Sequence, residues 1–341
     1  MRILVIRLSA IGDIVMASPL VKVLKDNYPD AQISWLVQPE SAALLEGHPD
    51  IDEVIIWQRA QWQELLRRGK LVKFFAALRA HKKLLRDKEF DLALDLQGLL
   101  KSGVHAWLSG AKKRVGLGSK EGSQHLMTEV IARGGNLDLI GSEYSFLADK
   151  QGWDYEKFPM HIEISKQARQ QAQAMVAELG DYVVICPFTT RPQKHWFEDA
   201  WLDLIPQLQT YFSGKVVVLG GPADADAAVT IANQSNVVNL VGQTSLQHAA
   251  AIIDGAQAVI GVDTGLTHMG IAFARPTVAM FGSTCPYLDT RTDNAAVIYH
   301  NLSCAPCQRN PSCDGAFTCM RDITPSQVIG ELTRLTKVES T

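Results

Sequence analysis

A chain of 341 residues, 47% hydrophobic and 20% charged, is long for one core and favours two domains, with no signature of disorder. No apolar stretch approaches the roughly 20 residues that span a bilayer. The opening MRILVIRLSAIGD is too short in apolar residues for a secretory signal, so a cytoplasmic address is expected and disulfides are not.

In chain order the pattern is strand, loop, helix, repeated. Arg2–Leu8 is an apolar run suited to a buried parallel strand. A helix is expected over Ile14–Asn27, stopping before Pro29, and strands over Gln32–Val37, Glu53–Trp57, Leu92–Leu96 and Arg114–Leu117. Arg59 to Lys88 carries ten Lys or Arg against only Glu64 and Asp87, a local charge of +8 in a chain whose net charge is −3. Such a segment is either a solvated helix face or the docking side for an anionic partner. Its pairs Leu65/Leu66, Phe74/Phe75 and Leu84/Leu85 face either a core or a membrane. Asn136–Lys150 reads as helix, and Gly152–Pro159 as a loop that opens a second unit. There, helices are expected over Lys166–Leu179, Phe197–Tyr211 and Leu266–Ala274, and strands over Tyr182–Cys186, Lys215–Leu219, Ala256–Val262 and Thr277–Phe281. Two βα-rich halves of this size predict two doubly wound α/β domains, with ligands beyond the carboxyl ends of the strands.

Four loops at such strand ends carry candidate chemistry. Ser9–Asp13 enters a helix through small residues, which lets a ligand reach backbone N–H groups; it lacks GxGxxG, so a nicotinamide enzyme is not supported. Asp13 itself is either a functional carboxylate or a helix cap. Pro187–Trp196 gathers Thr189, Thr190, Arg191, Lys194, His195 and Trp196, a cluster suited to a phosphorylated ligand. Gly220–Asp224 offers Asp224 as a ribose contact or a turn residue. Val262–His268 places Asp263, Thr264, Gly265 and His268 where a strand ends and a helix dipole favours a diphosphate; local capping is the competing use.

Together these loops resemble glycosyltransferase family 9, the bacterial heptosyltransferases, over nearly the whole chain. The residues that carry the resemblance are SAIGD (Ser9–Asp13), DLQGLLKS (Asp95–Ser102), TTRPQKHW (Thr189–Trp196) and VDTGLTH (Val262–His268). It implies a GT-B fold, two Rossmann-like doubly wound domains facing a central cleft. An acceptor-binding domain is expected over 1–155, a nucleotide-sugar-binding domain over 156–324, and a C-terminal helix over 325–341 packing back on the first domain. It also implies inverting transfer of a heptose from ADP-heptose to the inner core (Kdo or heptose) of lipopolysaccharide. Asp13 matches the family's catalytic base, and Lys194 the cation on the donor's phosphates. Asp263, Thr264, Gly265 and His268 match the donor loop, with Thr189 and Thr190 beside it. The ribose-contacting acid falls on Asp224, where relatives carry Glu in an acidic run. The basic segment, represented by Arg59, Lys82, Lys83 and Arg86, lies where relatives face the phosphorylated acceptor, lipid A–Kdo or core oligosaccharide. No nucleic acid partner is implied, and peripheral contact with the inner membrane surface is compatible with such an acceptor.

Cys304-x₂-Cys307-x₅-Cys313-x₅-Cys319 is a separate signal. Thiolate coordination of a structural zinc or iron explains the spacing; four free thiols or a redox pair are the alternatives. Cys186 and Cys285 read as plain core or loop residues. Because Lys194 and the helix terminus can neutralise the leaving diphosphate, no catalytic metal is required, and the DxD-type match Asp224-Ala-Asp226 is read as a ribose contact. A nucleotide-sugar epimerase of the same fold, a non-catalytic nucleotide-sugar or lipid-binding protein and a heptosyltransferase acting on a protein remain alternatives. The acceptor, the linkage and the oligomeric state are not specified by these residues.

Overall fold

The computed structural model describes residues 1–284 and 287–338, so Cys285 lies outside the described residues. The chain divides into two units, Met1–Gly135 with Gly141–Glu163, and Asn136–Ile140 with Ile164–Thr341. The division falls eight residues beyond the expected boundary at 155.

The first unit contains β1 (Arg2–Ile6), β2 (Gln32–Val37), β3 (Glu53–Ile56), β4 (Leu92–Asp95), β5 (Lys113–Leu117) and β6 (Glu129–Ile131). They form a parallel sheet in the order β3-β2-β1-β4-β5-β6. The second contains β7 (Tyr182–Cys186), β8 (Lys215–Val218), β9 (Val238–Asn239), β10 (Val259–Val262), β11 (Thr277–Phe281) and β12 (Ala295–Tyr299). Its order, β12-β11-β10-β7-β8-β9, is again parallel and repeats the first. Both are the Rossmann order, with the direction of winding reversing between β1 and β4 and between β7 and β10. The central strands are buried on both faces, which is why they read as continuous apolar runs.

The expected helix over Ile14–Asn27 is in fact two, Ile11–Ala17 and Pro19–Asn27. Pro19 has no N–H for the Val15 carbonyl; the Ser18 amide (3.2 Å) and hydroxyl (2.7 Å) take it instead. The helix expected from Asn136 begins only at Ser142. Asn136–Ile140 belongs instead to the second unit, where the Ile140 amide donates to Asp289 at 2.8 Å.

The basic segment folds as two helices, Arg59–Arg67 and Leu71–Arg86. Trp62 joins them, edge-on to Phe74 and His81 at 5.8 and 5.4 Å. Each apolar pair splits: Leu65, Phe74 and Leu85 turn inward to differing depths, while Leu66, Phe75 and Leu84 are exposed. Beneath them His81 Nε2 lies 3.0 Å from His105 Nδ1. Burial pushes His81 down to about 4; burial, then the neighbouring His81, pushes His105 down to about 3. The pair is therefore uncharged at neutral pH.

The C-terminal helix runs over Pro325–Val338. Val328, Leu332 and Leu335, spaced along one face, are buried in the second unit's core with Trp201 and Met280. Its apolar stripe is thus used within that unit's core. Among the described residues no helix is long and apolar enough to cross a membrane.

Candidate active site

In the first unit the loops after β1 and β4 meet at the switch point. Asp95 ends β4 and accepts the amides of Gln97 (3.1 Å) and Gly98 (3.0 Å). Gly98 has φ +67°, and a Cβ there would run into the carbonyls of Leu117 and Gly118, so the turn requires glycine. Gln97 then reaches across to accept the Leu8 amide at 3.1 Å. Asp13 is the third residue of its helix, not the cap; its carboxylate accepts the Ala10 amide at 3.1 Å. The same carboxylate is ion-paired to Arg7 at 2.6 Å, and the Arg7 guanidinium, itself buried, also donates to the Leu96 carbonyl at 2.9 Å.

Further groups share this neighbourhood. Burial pushes Asp95 up against the opposing pull of the Gly98 amide, Ser102, the Gln97 amide and Arg7. Tyr144 is fully buried, its hydroxyl has no partner among the described residues, and burial pushes it up to about 12. It feels the charges of Arg7, Asp13 and Arg133; Arg133 pairs with Glu143 and donates to the Gln97 carbonyl. Sequence reasoning missed Arg7, Arg133 and Tyr144. Arg7 had a signal, a lone cation ending a buried strand; the other two arrive from distant, unremarkable sequence.

In the second unit the loops after β7 and β10 meet at the equivalent position. Lys194 Nζ lies 2.5 Å from Asp263 Oδ2, with side chains 15% and 16% exposed. The Thr189 hydroxyl donates to the Asp263 carbonyl (3.1 Å), and the Thr284 hydroxyl to its carboxylate (2.7 Å). Burial alone would push Asp263 up; Lys194, His268 and the Thr284 hydroxyl outweigh it and hold the carboxyl below its ordinary range. Thr264 precedes the helix Gly265–Ala272, whose N-terminus opens beside Asp263. His268 is buried, donates from Nδ1 to the Thr264 carbonyl at 2.7 Å, and packs edge-on against Tyr287. His195, bonded to the Thr189 carbonyl at 2.8 Å, braces the loop from the other side. Lys194, Asp263, Thr189, Thr264, Gly265 and His268 are therefore brought together, and Thr284 joins them unforeseen.

The remaining candidates are less concentrated. Thr190 is exposed. Asp224 closes its own turn, accepting the Gly221 amide at 2.9 Å before the helix Ala225–Gln234. Trp196 is a brace, buried against Trp201 with its indole N–H on the Ile323 carbonyl at 3.0 Å. Arg59 begins the first basic helix, while Lys82, Lys83 and Arg86 end the second. Lys83 is paired with Asp87 at 2.5 Å, and Lys82 lies over the Trp107 ring at 5.9 Å.

Cys304, Cys307 and Cys313 are half-buried and Cys319 is in the core, all as free thiols. Among the described residues no three His, Cys, Asp or Glu side chains are placed to hold one ion, so the four sulfurs do not form a ready cage. They do share a neighbourhood. Burial first, and then the other three thiols, pushes Cys319 up. The segment touches the β7 loop, since Gln193 donates to the Gln308 carbonyl at 2.9 Å.

Paired loops at the switch points of two Rossmann sheets, one of them built around a cation at a helix N-terminus, are the frame of a nucleotide-sugar transferase. The sequence profile of glycosyltransferase family 9 (heptosyltransferase) matches residues 78–316. The chain belongs to that family. Lipopolysaccharide heptosyltransferase 1 of Escherichia coli K12 is 28% identical over 305 residues, covering 84% of this chain and 90% of that protein. The solved structure of E. coli ADP-heptose lipopolysaccharide heptosyltransferase II superposes with a TM-score of 0.77 at 24% identity over the full length of both chains. That of E. coli heptosyltransferase WaaC with ADP-2-deoxy-2-fluoro heptose gives 0.72 at 22% identity, over 97% of this chain and 99% of that one. The GT-B family fold expected from the motifs is therefore the fold found, and the chain is a glycosyltransferase.

Proposed function

We propose that this family 9 glycosyltransferase moves a heptose from ADP-heptose to the inner core of lipopolysaccharide with inversion. The observation that carries the reading is the Lys194–Asp263 pair beside the N-terminus of Gly265–Ala272, at the switch point of the second sheet. A diphosphate suits that place: its charge meets Lys194, free first-turn amides and the Thr264 hydroxyl. The donor is ADP-heptose by likeness to the lipopolysaccharide heptosyltransferases, with Thr189, Thr190, His268 and, less centrally, Asp224 completing its site. Asp13 takes the proton of the acceptor hydroxyl as the new bond to the anomeric carbon forms and the bond to ADP breaks. Lys194 and the helix terminus receive the charge that develops on ADP. Arg7 and the Ala10 amide hold the Asp13 carboxylate in place.

The acceptor is assigned to the basic helices, and because its lipid end lies in a membrane, catalysis takes place at that surface. ADP release from ADP-heptose should require a lipid A–Kdo acceptor or one already bearing heptose; the better of the two identifies the step. ADP release without either acceptor, or an altered sugar without ADP release, would instead support the epimerase alternative. In the same assay, changing Lys82, Lys83 and Arg86 together to Glu should raise acceptor KM about tenfold, exposed charges being worth up to about 1 kcal/mol each. Donor KM should stay within about twofold. Equal rises for both substrates would count against a dedicated acceptor surface.

A structural zinc or iron is the finer reading of the four clustered cysteines, supported by their spacing and by their closeness: burial, and after it the neighbouring thiols, pushes Cys307 and Cys319 up. Binding would draw the sulfurs together and tighten the brace on the β7 loop. Elemental analysis should find about one metal per chain. Cys307→Ser should lose the metal and melt earlier, with turnover of the folded fraction nearly unchanged. A metal-free wild type of equal stability would reduce the segment to a packing brace.

A further inference from the structure

The tip of the helical pair is not explained by acceptor binding. Leu66, Leu71, Val72 and Phe75 are 47%, 53%, 84% and 60% exposed, four large apolar side chains within ten residues. Exposed Arg67, Arg68, Lys70 and Lys73 are interleaved with them. The turn that presents them is ordered: Gly69 at φ +64° donates to the Leu66 carbonyl (3.0 Å), and the Lys70 amide to Leu65 (2.8 Å). Arg67 and Arg68 share Glu64, whereas Lys70 and Lys73 have no ion pair among the described residues. On the second helix the apolar group forms the beginning of the outer face, and Arg79, Lys83 and Arg86 continue the same stripe toward its end.

A merely solvated face would not gather such side chains, which singly are ordinary but together form a patch. A second copy of the chain fits poorly, since self-association would bring two sets of these cations together. An anionic bilayer answers both features, because the apolar side chains enter the acyl boundary while the cations remain among the headgroups. We propose that the tip Leu66–Phe75 is a membrane anchor that inserts shallowly into anionic phospholipid, independently of the sugar acceptor. This goes beyond the transfer reaction, and its test needs neither donor nor acceptor, so the two can fail separately.

The full chain is sedimented with vesicles of phosphatidylglycerol mixed into phosphatidylcholine, and with phosphatidylcholine alone. Wild type should sediment with the anionic vesicles, stay in solution with the neutral ones, and be released as salt is raised. Lys70→Gln with Lys73→Gln should weaken partition on the order of thirtyfold, since each such cation contributes about fivefold. Val72→Glu with Phe75→Glu should abolish it; both side chains are mostly solvent-facing, and an unchanged thermal midpoint checks the fold. Equal sedimentation of that double variant and wild type would overturn the anchor, as would wild type left in solution with anionic vesicles. Equal binding to neutral vesicles would overturn its anionic specificity.

Discussion

Asp13→Asn is expected to bind ADP-heptose normally and to lose about 10²–10⁴ in kcat, the usual worth of a positioned general base. The amide can still accept the Ala10 N–H, so the local turn survives. It cannot take the acceptor's proton, nor answer the charge of Arg7. Breaking a buried ion pair costs about 3–5 kcal/mol and an exposed one close to nothing. Asp13 is 35% exposed and Arg7 keeps the Leu96 carbonyl, so a loss of about 1–2 kcal/mol is expected. The thermal midpoint therefore falls modestly while turnover collapses. Turnover within a few-fold of wild type would move the base elsewhere.

Lys194→Met should lower kcat/KM for the donor by about 10²–10³, the cost of removing one fixed stabiliser of developing negative charge. It should also destabilise the second unit by about 2–4 kcal/mol, because Asp263 would keep only Thr284 and His268 as partners in a largely water-free place. The two effects can be separated. Adding Asp263→Asn removes the uncompensated carboxylate, so the double variant should regain most of the thermal midpoint and none of the turnover. If turnover returned along with stability, Lys194 would be a structural partner of Asp263 and nothing more.

Much of this was legible in the amino-acid order, and the exceptions have physical causes. β2, β7 and β11 appear at their expected bounds because strands buried on both faces are unbroken apolar runs. β6, β9 and β12 were missed; the first two span three and two residues, and β12 alternates between buried and half-buried positions in an Ala-rich run. Pro19 carried the signal for the break that divides the first long helix, which the expected span ran through. Asn136–Ile140, with its buried Ile140, was expected to be helix and is a non-helical segment of the second unit. The loops of the site were visible because strand ends and small residues locate them. Their partners were not, since Arg133 and Tyr144 approach Asp13 from more than a hundred residues away and only the folded sheet brings them there. Asp224 shows the converse: its motif position suggests ribose, while its hydrogen bond is that of a turn.

The repeated strand order has a consequence for how ligands are exchanged. At the switch point of each sheet a cation already faces a carboxylate, Arg7 with Asp13 and Lys194 with Asp263. Each locus is electrically closed before a substrate arrives. On the proposed reading, a diphosphate reaching Lys194 would share it with a resident anion that is tethered and never diffuses away. Such an internal competitor would weaken the grip on the donor and on released ADP alike, and would return the lysine to a satisfied state as soon as ADP departs. Tight product binding would thereby be avoided by a standing substitute, kept within the site, for the charge of the departing diphosphate.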